Sequence, residues 1–418
     1  MLPPDAPALA ALPEAARAIL PDVVRLRRAL HRRPEVGLEL PETQAFLAAE
    51  LERLGLRPAT GRTLASLVAI IEGAAPGPTV LLRADMDGLP LTEATGLDFT
   101  SAIEGRMHAC GHDTHMAMLL GAARLLVERR AALDGRVVLM FQPGEEGYGG
   151  ARLMLEEGVL AAGGEPPVRA YALHITTTYA SGTIATRAGA LLAASDVLRI
   201  RVEGRGGHAS APYLALDPVT VAAEIVLALQ VMVTRRVDVF DPAVITIAHV
   251  TAGTTNNVIP ATAELEGTIR TVSEEARTAL LVEIERVAAG VAAAHGATVK
   301  VEIVPGYPVT MNDPEAATTM LETAAGLAAA PAGTGTAEPD HRMAAPIMGA
   351  EDFSYVLARV PGAMAFLGAR PPGDDPATTP GNHSDRVVFD EAAMAVGAAL
   401  SAALALRHLG RDGSSSAV

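Results

Sequence analysis

The strongest constraint on the fold is a set of continuous apolar runs at residues 78–83, 136–141 and 169–173, set among helix-forming segments. Runs of this length and composition suit strands buried on both faces of a sheet. Helical patterns at 13–33, 41–55, 116–130 and from about 150 alternate with them, and 68–72 is a further short β-branched run. That alternation implies an α/β fold with a mostly parallel sheet flanked by helices. Open sheets of this kind place their chemistry at the carboxyl ends of strands. Here those ends lead into Ala84-Asp85-Met86-Asp87-Gly88, Gln142-Pro143-Gly144-Glu145-Glu146-Gly147 and His174-Ile175.

The pattern then changes. Residues 195–203 alternate as a half-buried strand, 217–235 are helical, and 244–251 and 258–271 are strands. A helix at 273–294, with Ser273 and the following glutamates as its start signal, precedes a strand at 298–304. The order β-α-β-β-α-β is that of a ferredoxin-like unit. After it come a helix near 313–328, a Gly/Ala/Pro/Thr-rich loop at 329–340, a helix opening at Gly349-Ala350-Glu351-Asp352-Phe353, a strand at 363–368 and a helix at 390–408. The first domain is therefore expected from residues 1–192 and 308–418, with a second domain, 193–307, inserted into it.

The stretch Gly105-Arg106-Met107-His108-Ala109-Cys110-Gly111-His112-Asp113-Thr114-His115 holds the only cysteine and three of the eleven histidines. Thiolate, imidazole and carboxylate bind borderline and soft divalent metals. Gly111 lets the backbone turn so that Cys110 and His112 reach one point. A buried free cysteine beside loop histidines is the plain alternative. Glu145 and Glu146 would repel phosphate, which argues against a phosphate loop; one could bind a metal while its neighbour serves as a base, although such pairs also occur on solvated loops. Asp87 equally suits an Asp-Gly turn. His174 alone would be a packed or capping residue, but it is the third strand end in succession to carry a metal-capable side chain. Cys110, His112, Glu145, Glu146, His174 and His383 exceed what one tetrahedral ion requires, and a cysteine can bridge two ions.

A net charge of -15 and 3% aromatics without tryptophan argue against nucleic acid and anionic membranes. The basic run Arg25, Arg27, Arg28, His31, Arg32, Arg33 is expected on a solvated helix face. One cysteine excludes an intramolecular disulfide. The amino-terminal segment lacks a basic region before its alanines, and no apolar run approaches the ~20 residues of a membrane span. A cytoplasmic chain with a disordered tail from Asp412 is the expectation.

The chain resembles the aminoacylase and hippurate-hydrolase type of dinuclear metallo-amidohydrolase, related to glutamate carboxypeptidase and succinyl-diaminopimelate desuccinylase. It is most similar to the branch that includes hydrolases of indole-acetyl amino acid conjugates. The resemblance runs from about His31 to Asp390. It rests on Leu-Arg-Ala-Asp-Met-Asp-Gly-Leu-Pro, Met-His-Ala-Cys-Gly-His-Asp, Phe-Gln-Pro-Gly-Glu-Glu-Gly, Ala-Leu-His, Gly-Gly-His-Ala-Ser, Asn-Val-Ile-Pro, Glu-Asp-Phe and Asn-His-Ser.

That resemblance implies a zinc-peptidase-like catalytic domain with an inserted lid and dimerisation domain. It implies two divalent ions per chain, zinc, manganese, cobalt or nickel, held by Cys110 in place of a bridging aspartate and by His112, Glu146, His174 and His383. Glu145 is implied as general base and His208 as an oxyanion donor contributed across a homodimer. Asn257 and Arg270 are implied to meet the substrate carboxylate, and Asp87 to orient a ligand. Asp85 stands where the wider family has a histidine, which His112 replaces. The implied reaction is hydrolysis of small N-acyl amino acids. A peptidase on the same scaffold, and a non-catalytic metal-binding protein, are the rival readings; the latter has no use for Glu145.

Overall fold

The computed structural model describes residues 9–330 and 340–410, so the expected disordered tail and nearly all of the 329–340 loop lie outside the described residues. The chain begins with helices α1 (Leu12–His31) and α2 (Pro41–Arg53). Strands β1 (Ala59–Thr60), β2 (Leu67–Glu72) and β3 (Ala75–Asp85) follow, then α3 (His112–Glu128), β4 (Asp134–Gln142), α4 (Gly150–Glu156), β5 (Arg169–Ala180) and β6 (Ile184–Thr186). Next come β7 (Ala194–Glu203), α5 (Pro218–Arg236), β8 (Ala243–Ala252), β9 (Thr262–Thr271), α6 (Glu274–Ala294) and β10 (Thr298–Pro305). The chain ends with α7 (Pro314–Ala328), β11 (Asp340–Arg342), β12 (Gly362–Arg370) and α8 (Ala393–Leu409).

The described residues fall into two compact units, one within Met1–Gly189, Met311–Ala345 and Tyr355–Val418, the other within Ala190–Thr310 and Pro346–Ser354. The first is built on an eight-stranded sheet in the order β1-β2-β4-β3-β5-β12-β6-β11. Its central strands β4, β3, β5 and β12 are parallel, and β2 and β6 flank them antiparallel. These central strands are buried almost throughout, as their unbroken apolar runs require. Helices α1, α3 and α8 share the core with them. Small residues bring α8 close: a Cβ on Gly397 would sit 2.1 Å from the Met118 sulfur of α3.

The second unit is an antiparallel sheet in the order β8-β9-β7-β10 with α5 and α6 on one face, the ferredoxin-like arrangement. Val221, Ile225 and Leu229 of α5 and Leu280, Ile284 and Ala288 of α6 pack on Leu198, Ile200 and Leu265. Helix α5 is long and apolar enough to cross a membrane by length and composition, contrary to the sequence expectation, yet its buried stripe belongs to this core. Ser273 caps α6 by accepting the Ala276 amide at 3.0 Å. The segment Pro346–Ser354 joins this unit because the Ala193 amide donates to the carbonyls of Ile347 and Gly349.

Several local expectations change. The strand expected at 258–271 is interrupted at Pro260, which has no amide for the ladder, into Val258–Ile259 and β9. Strand β5 continues past His174 to Ala180 because β12 pairs with it there. The basic run is not wholly solvated: Arg27 and His31 are 1% and 2% exposed. Arg27 Nε donates to Asp113 at 2.7 Å, His31 Nδ1 lies 2.8 Å from the same carboxylate, and Arg27 also reaches Glu391. Burial pushes the Asp113 carboxyl up, but Arg27 and His31 more than offset it and hold it well below the usual range.

Candidate metal centre

Helix α3 starts four residues earlier than its sequence pattern indicates, with His112 as its first residue. The turn before it depends on Gly111, at φ 85°, where a Cβ would lie 2.3 Å from the Ile175 side chain. Cys110 and His112 thus leave the two sides of one tight turn. Strand β3 ends at Asp85, and Asp87 follows, 1% exposed. The Asp87 carboxylate accepts the Glu145 amide at 2.9 Å and the Glu146 amide at 3.1 Å, fixing the turn after β4. The His383 loop is tied to the same place: the His383 amide donates to the Ala109 carbonyl at 2.9 Å. Asn382 Nδ2 donates to the carbonyls of Cys110 and Ile175 at 3.1 and 3.0 Å. Among the described residues His383 is the one non-glycine at positive φ, 68°. Such strain persists where the surroundings impose it.

Six residues singled out in the sequence converge. Cys110 Sγ lies 3.4 Å from His174 Nε2 and 3.3 Å from His383 Nε2. His383 Nε2 is 3.1 Å from Glu146 Oε1, although Glu146 Oε1 makes no hydrogen bond of good geometry. Donor atoms of Cys110, His112 and His174 lie within 4.8 Å of one another, as do those of Cys110, Glu146 and His383, and those of His112, Glu145 and Glu146. Cys110 is common to the first two trios, and Glu145 adjoins both through His112 and Glu146.

The residues fit divalent metal. His112 is 0% exposed and neither ring nitrogen has a hydrogen-bond partner; its nearest carboxylates, Asp85 and Asp87, are 3.6 Å away, too far to bond. A buried imidazole with both nitrogens unsatisfied is costly unless something else fills its lone pair. His174 donates Nδ1–H to the Ile175 carbonyl at 2.8 Å, which turns the Nε2 lone pair toward Cys110. Burial pushes His174 down to about 3, so the ring is neutral as a ligand must be. Contact with Cys110 and Glu146 pushes His383 up to about 10, and burial pushes the Cys110 thiol up.

His108, crowded beside Cys110 in sequence, turns elsewhere. It is 1% exposed, and its ring packs 6.3 Å from that of His31. Burial lowers it to about 3. Asp85 lies beside His112, but both its oxygens are engaged by other partners: Oδ2 accepts from Arg83 at 2.6 Å and Oδ1 from His115 Nδ1 at 2.6 Å. Sequence reasoning missed His115 and Asn382 as parts of this centre. The adjacency of Asn382 to His383 was the available signal for one, and the crowding of His115 with Cys110 and His112 in one stretch was the signal for the other.

In the second unit His208 and Asn257 meet on a short ribbon, where His208 pairs with Val258 and the Ala209 amide donates to the Asn257 carbonyl at 3.1 Å. His208 is exposed, and its Nδ1 accepts the Ser210 amide at 3.1 Å, which leaves the proton on Nε2. Arg270 lies at the other end of the sheet, opposite Ser195, whose hydroxyl it reaches at 2.6 Å. Thr262, at the ribbon end of the same strand, pairs with Glu203. The eight residue steps from Thr262 to Arg270 span roughly 27 Å at strand rise.

The signature of the peptidase family M20/M25/M40 matches residues 81–407. Thermostable carboxypeptidase 1 of Saccharolobus solfataricus is 38% identical over 92% of this chain and 95% of its own length. N-acetylcysteine deacetylase of Bacillus subtilis is 38% identical over 92% of this chain and 96% of its own. A solved Bacillus subtilis structure, described as a dinuclear metal binding peptidase from the M20 family, superposes with a TM-score of 0.79 at 34% identity, covering 94% of this chain and 98% of the other.

Proposed function

The chain belongs to peptidase family M20/M25/M40 and is a hydrolase; on that premise we propose that it cleaves the amide bond of N-acyl amino acids, giving a carboxylate and a free amino acid. The observation that carries this reading is the pair of trios sharing Cys110, with Glu145 beside them. Cys110, His112, Glu146, His174 and His383 would hold two divalent ions, and zinc suits the mixed sulfur, nitrogen and oxygen donors. When bound, the ions supply Lewis-acid polarisation of the scissile carbonyl and of water.

The chain's own residues do the rest. Glu145 takes a proton from the attacking water and returns it to the leaving amine as the C–N bond breaks. Asp87 orients Glu145 and Glu146 through their amides. His208 Nε2–H donates to the developing oxyanion. Arg270 and Asn257 bind the substrate carboxylate, Arg270 through its planar fork. The distance between Arg270 and the His208 ribbon supports their serving one substrate from two different subunits. A homodimer through the inserted unit is consistent with the apolar side chains exposed there: Leu227 and Val231 of α5 are 68% and 61% exposed, and Val250 of edge strand β8 is 60%. A thiolate ligand suits a reducing compartment, in keeping with a cytoplasmic enzyme.

The test is a panel of N-acetyl, N-benzoyl and indole-acetyl amino acids beside dipeptides, offered to metal-loaded protein with and without chelator. Hydrolysis of the N-acyl amino acids, abolished by chelator, is expected. Cleavage of dipeptides alone would favour the carboxypeptidase reading, which the 38% identical relative of that name supports.

A further inference from the structure

Strands β3 and β5 run parallel, but their ladder ends at Arg83 and Ala172, before either reaches the metal-capable side chains. Beyond that point the strand ends are joined by a side chain. His115, one helical turn after His112 on α3, is 3% exposed. Its Nδ1 lies 2.6 Å from Asp85 Oδ1 at the end of β3, and its Nε2 accepts the Ile175 amide of β5 at 2.8 Å. Because an amide can only donate, Nε2 holds the lone pair and Nδ1 the proton. Both nitrogens are thereby committed, and His115 has no lone pair left for a metal.

What His115 holds is the backbone that aims a ligand. The Ile175 amide is bonded to His115, while the Ile175 carbonyl receives His174 Nδ1 at 2.8 Å and Asn382 Nδ2 at 3.0 Å. The rings of His112, His115 and His174 form a close triangle, with His115 centroids 5.4 and 4.9 Å from the other two and those two 6.1 Å apart. Asp85 is anchored from behind by Arg83, which also donates to Gln142 at 2.8 Å. The histidine therefore fixes two things together: the distance from α3 to β5, and the orientation of His174 through Ile175.

We propose that His115 is a positioning residue that sets the spacing of His112 and His174 for metal by capping the Ile175 amide where the β3–β5 ladder has ended. The proposal rests on the reading of His112 and His174 as ligands. Three substitutions separate the two halves of the brace. His115→Gln can place a carbonyl near the Nε2 position and keep an acceptor for Ile175. His115→Asn can keep a donor for Asp85 but falls short of Ile175. His115→Phe removes both.

The experiment is titration of metal-free protein with Co2+, read as affinity by chelator competition and as the d–d absorption spectrum, with thermal unfolding of each metal-free variant alongside. The expected result is a Co2+ affinity for His115→Gln close to the parent's. For His115→Asn and His115→Phe the expected affinity is weaker by roughly 10–100-fold, the scale for groups that orient metal ligands, with an altered spectrum. A merely structural role would lower the unfolding temperature of all three without ordering their affinities in this way. Equal affinities for the Asn and Gln variants, or parent-like affinity for all three, would overturn the proposal. Failure of all three to fold without metal would overturn it as well, because the network would then support the fold rather than the spacing. His174→Ala is the control: if it binds Co2+ as the parent does, the ligand reading itself fails. If it loses metal while the His115 variants keep it, only this inference fails.

Discussion

Asp87 accepts the backbone amide of Glu145 at 2.9 Å, so Glu145 is held through its main chain by a carboxylate from the neighbouring strand end. The second oxygen holds Glu146 in the same way. Asp87→Ala should release both, weakening metal binding and turnover by roughly 10–100-fold. Asp87→Asn keeps one acceptor and should recover part of the loss. Metal content and kcat of the two variants check this, and equal losses in both would argue against the shared-amide role.

Cys110 is the only cysteine, so oxidation chemistry is simple to read. Peroxide should oxidise the Cys110 thiol of metal-free protein faster than that of loaded protein, read as the activity each regains on reloading with metal, because a liganded sulfur is shielded. Cys110→Ala should lose metal. Retention of both ions and of activity would support an ordinary buried cysteine.

Much of this was legible in the sequence for a local reason. Unbroken apolar runs mark strands buried on both faces, and the metal-capable residues follow them directly. The β-α-β-β-α-β order is likewise a local pattern read segment by segment. What was not legible is non-local. Arg27 and His31 look like a solvated face until Asp113 and Glu391, 86 and 364 positions from Arg27, are folded against them. His115 stands in the same stretch as Cys110 and His112, but nothing local shows its two bonds, which reach strands 30 and 60 positions away. The positive φ of His383 follows from its loop being tied to Ala109, which no propensity encodes.

His208 is predicted to act across a dimer. His208→Ala should lose mainly kcat, on the order of 2.7–4 kcal/mol for an oxyanion donor. Inactive Glu145→Gln chains mixed with inactive His208→Ala chains should regain activity toward half per mixed dimer, since one site then holds both groups. No recovery in mixed dimers shown to form would place His208 in its own chain's chemistry or in none.

His408 provides a stability test apart from the metal. Its Nε2 receives the Tyr171 hydroxyl at 2.7 Å, and burial, with Arg169 and Arg407 adding to it, pushes the ring down to about 4. The unfolded chain takes up that proton near pH 6.5, so between 4 and 6.5 it binds more protons than the folded one. This contribution is therefore complete above pH 6.5 and is lost as pH falls toward 4, on the order of 1–2 kcal/mol once solvent screening is allowed for. Urea unfolding at pH 4.5 and 7 should show a smaller drop in His408→Gln than in the parent. The same drop in both would contradict this assignment.

Glu145→Gln tests the central claim most directly, with bound metal and turnover of an N-acetyl amino acid measured on one preparation. The variant should hold two divalent ions per chain, as the parent does, while kcat falls by at least ~100-fold, the scale of a lost general base. Two bound ions with near-parental turnover would contradict the account, and so would a fully active parent containing a single ion.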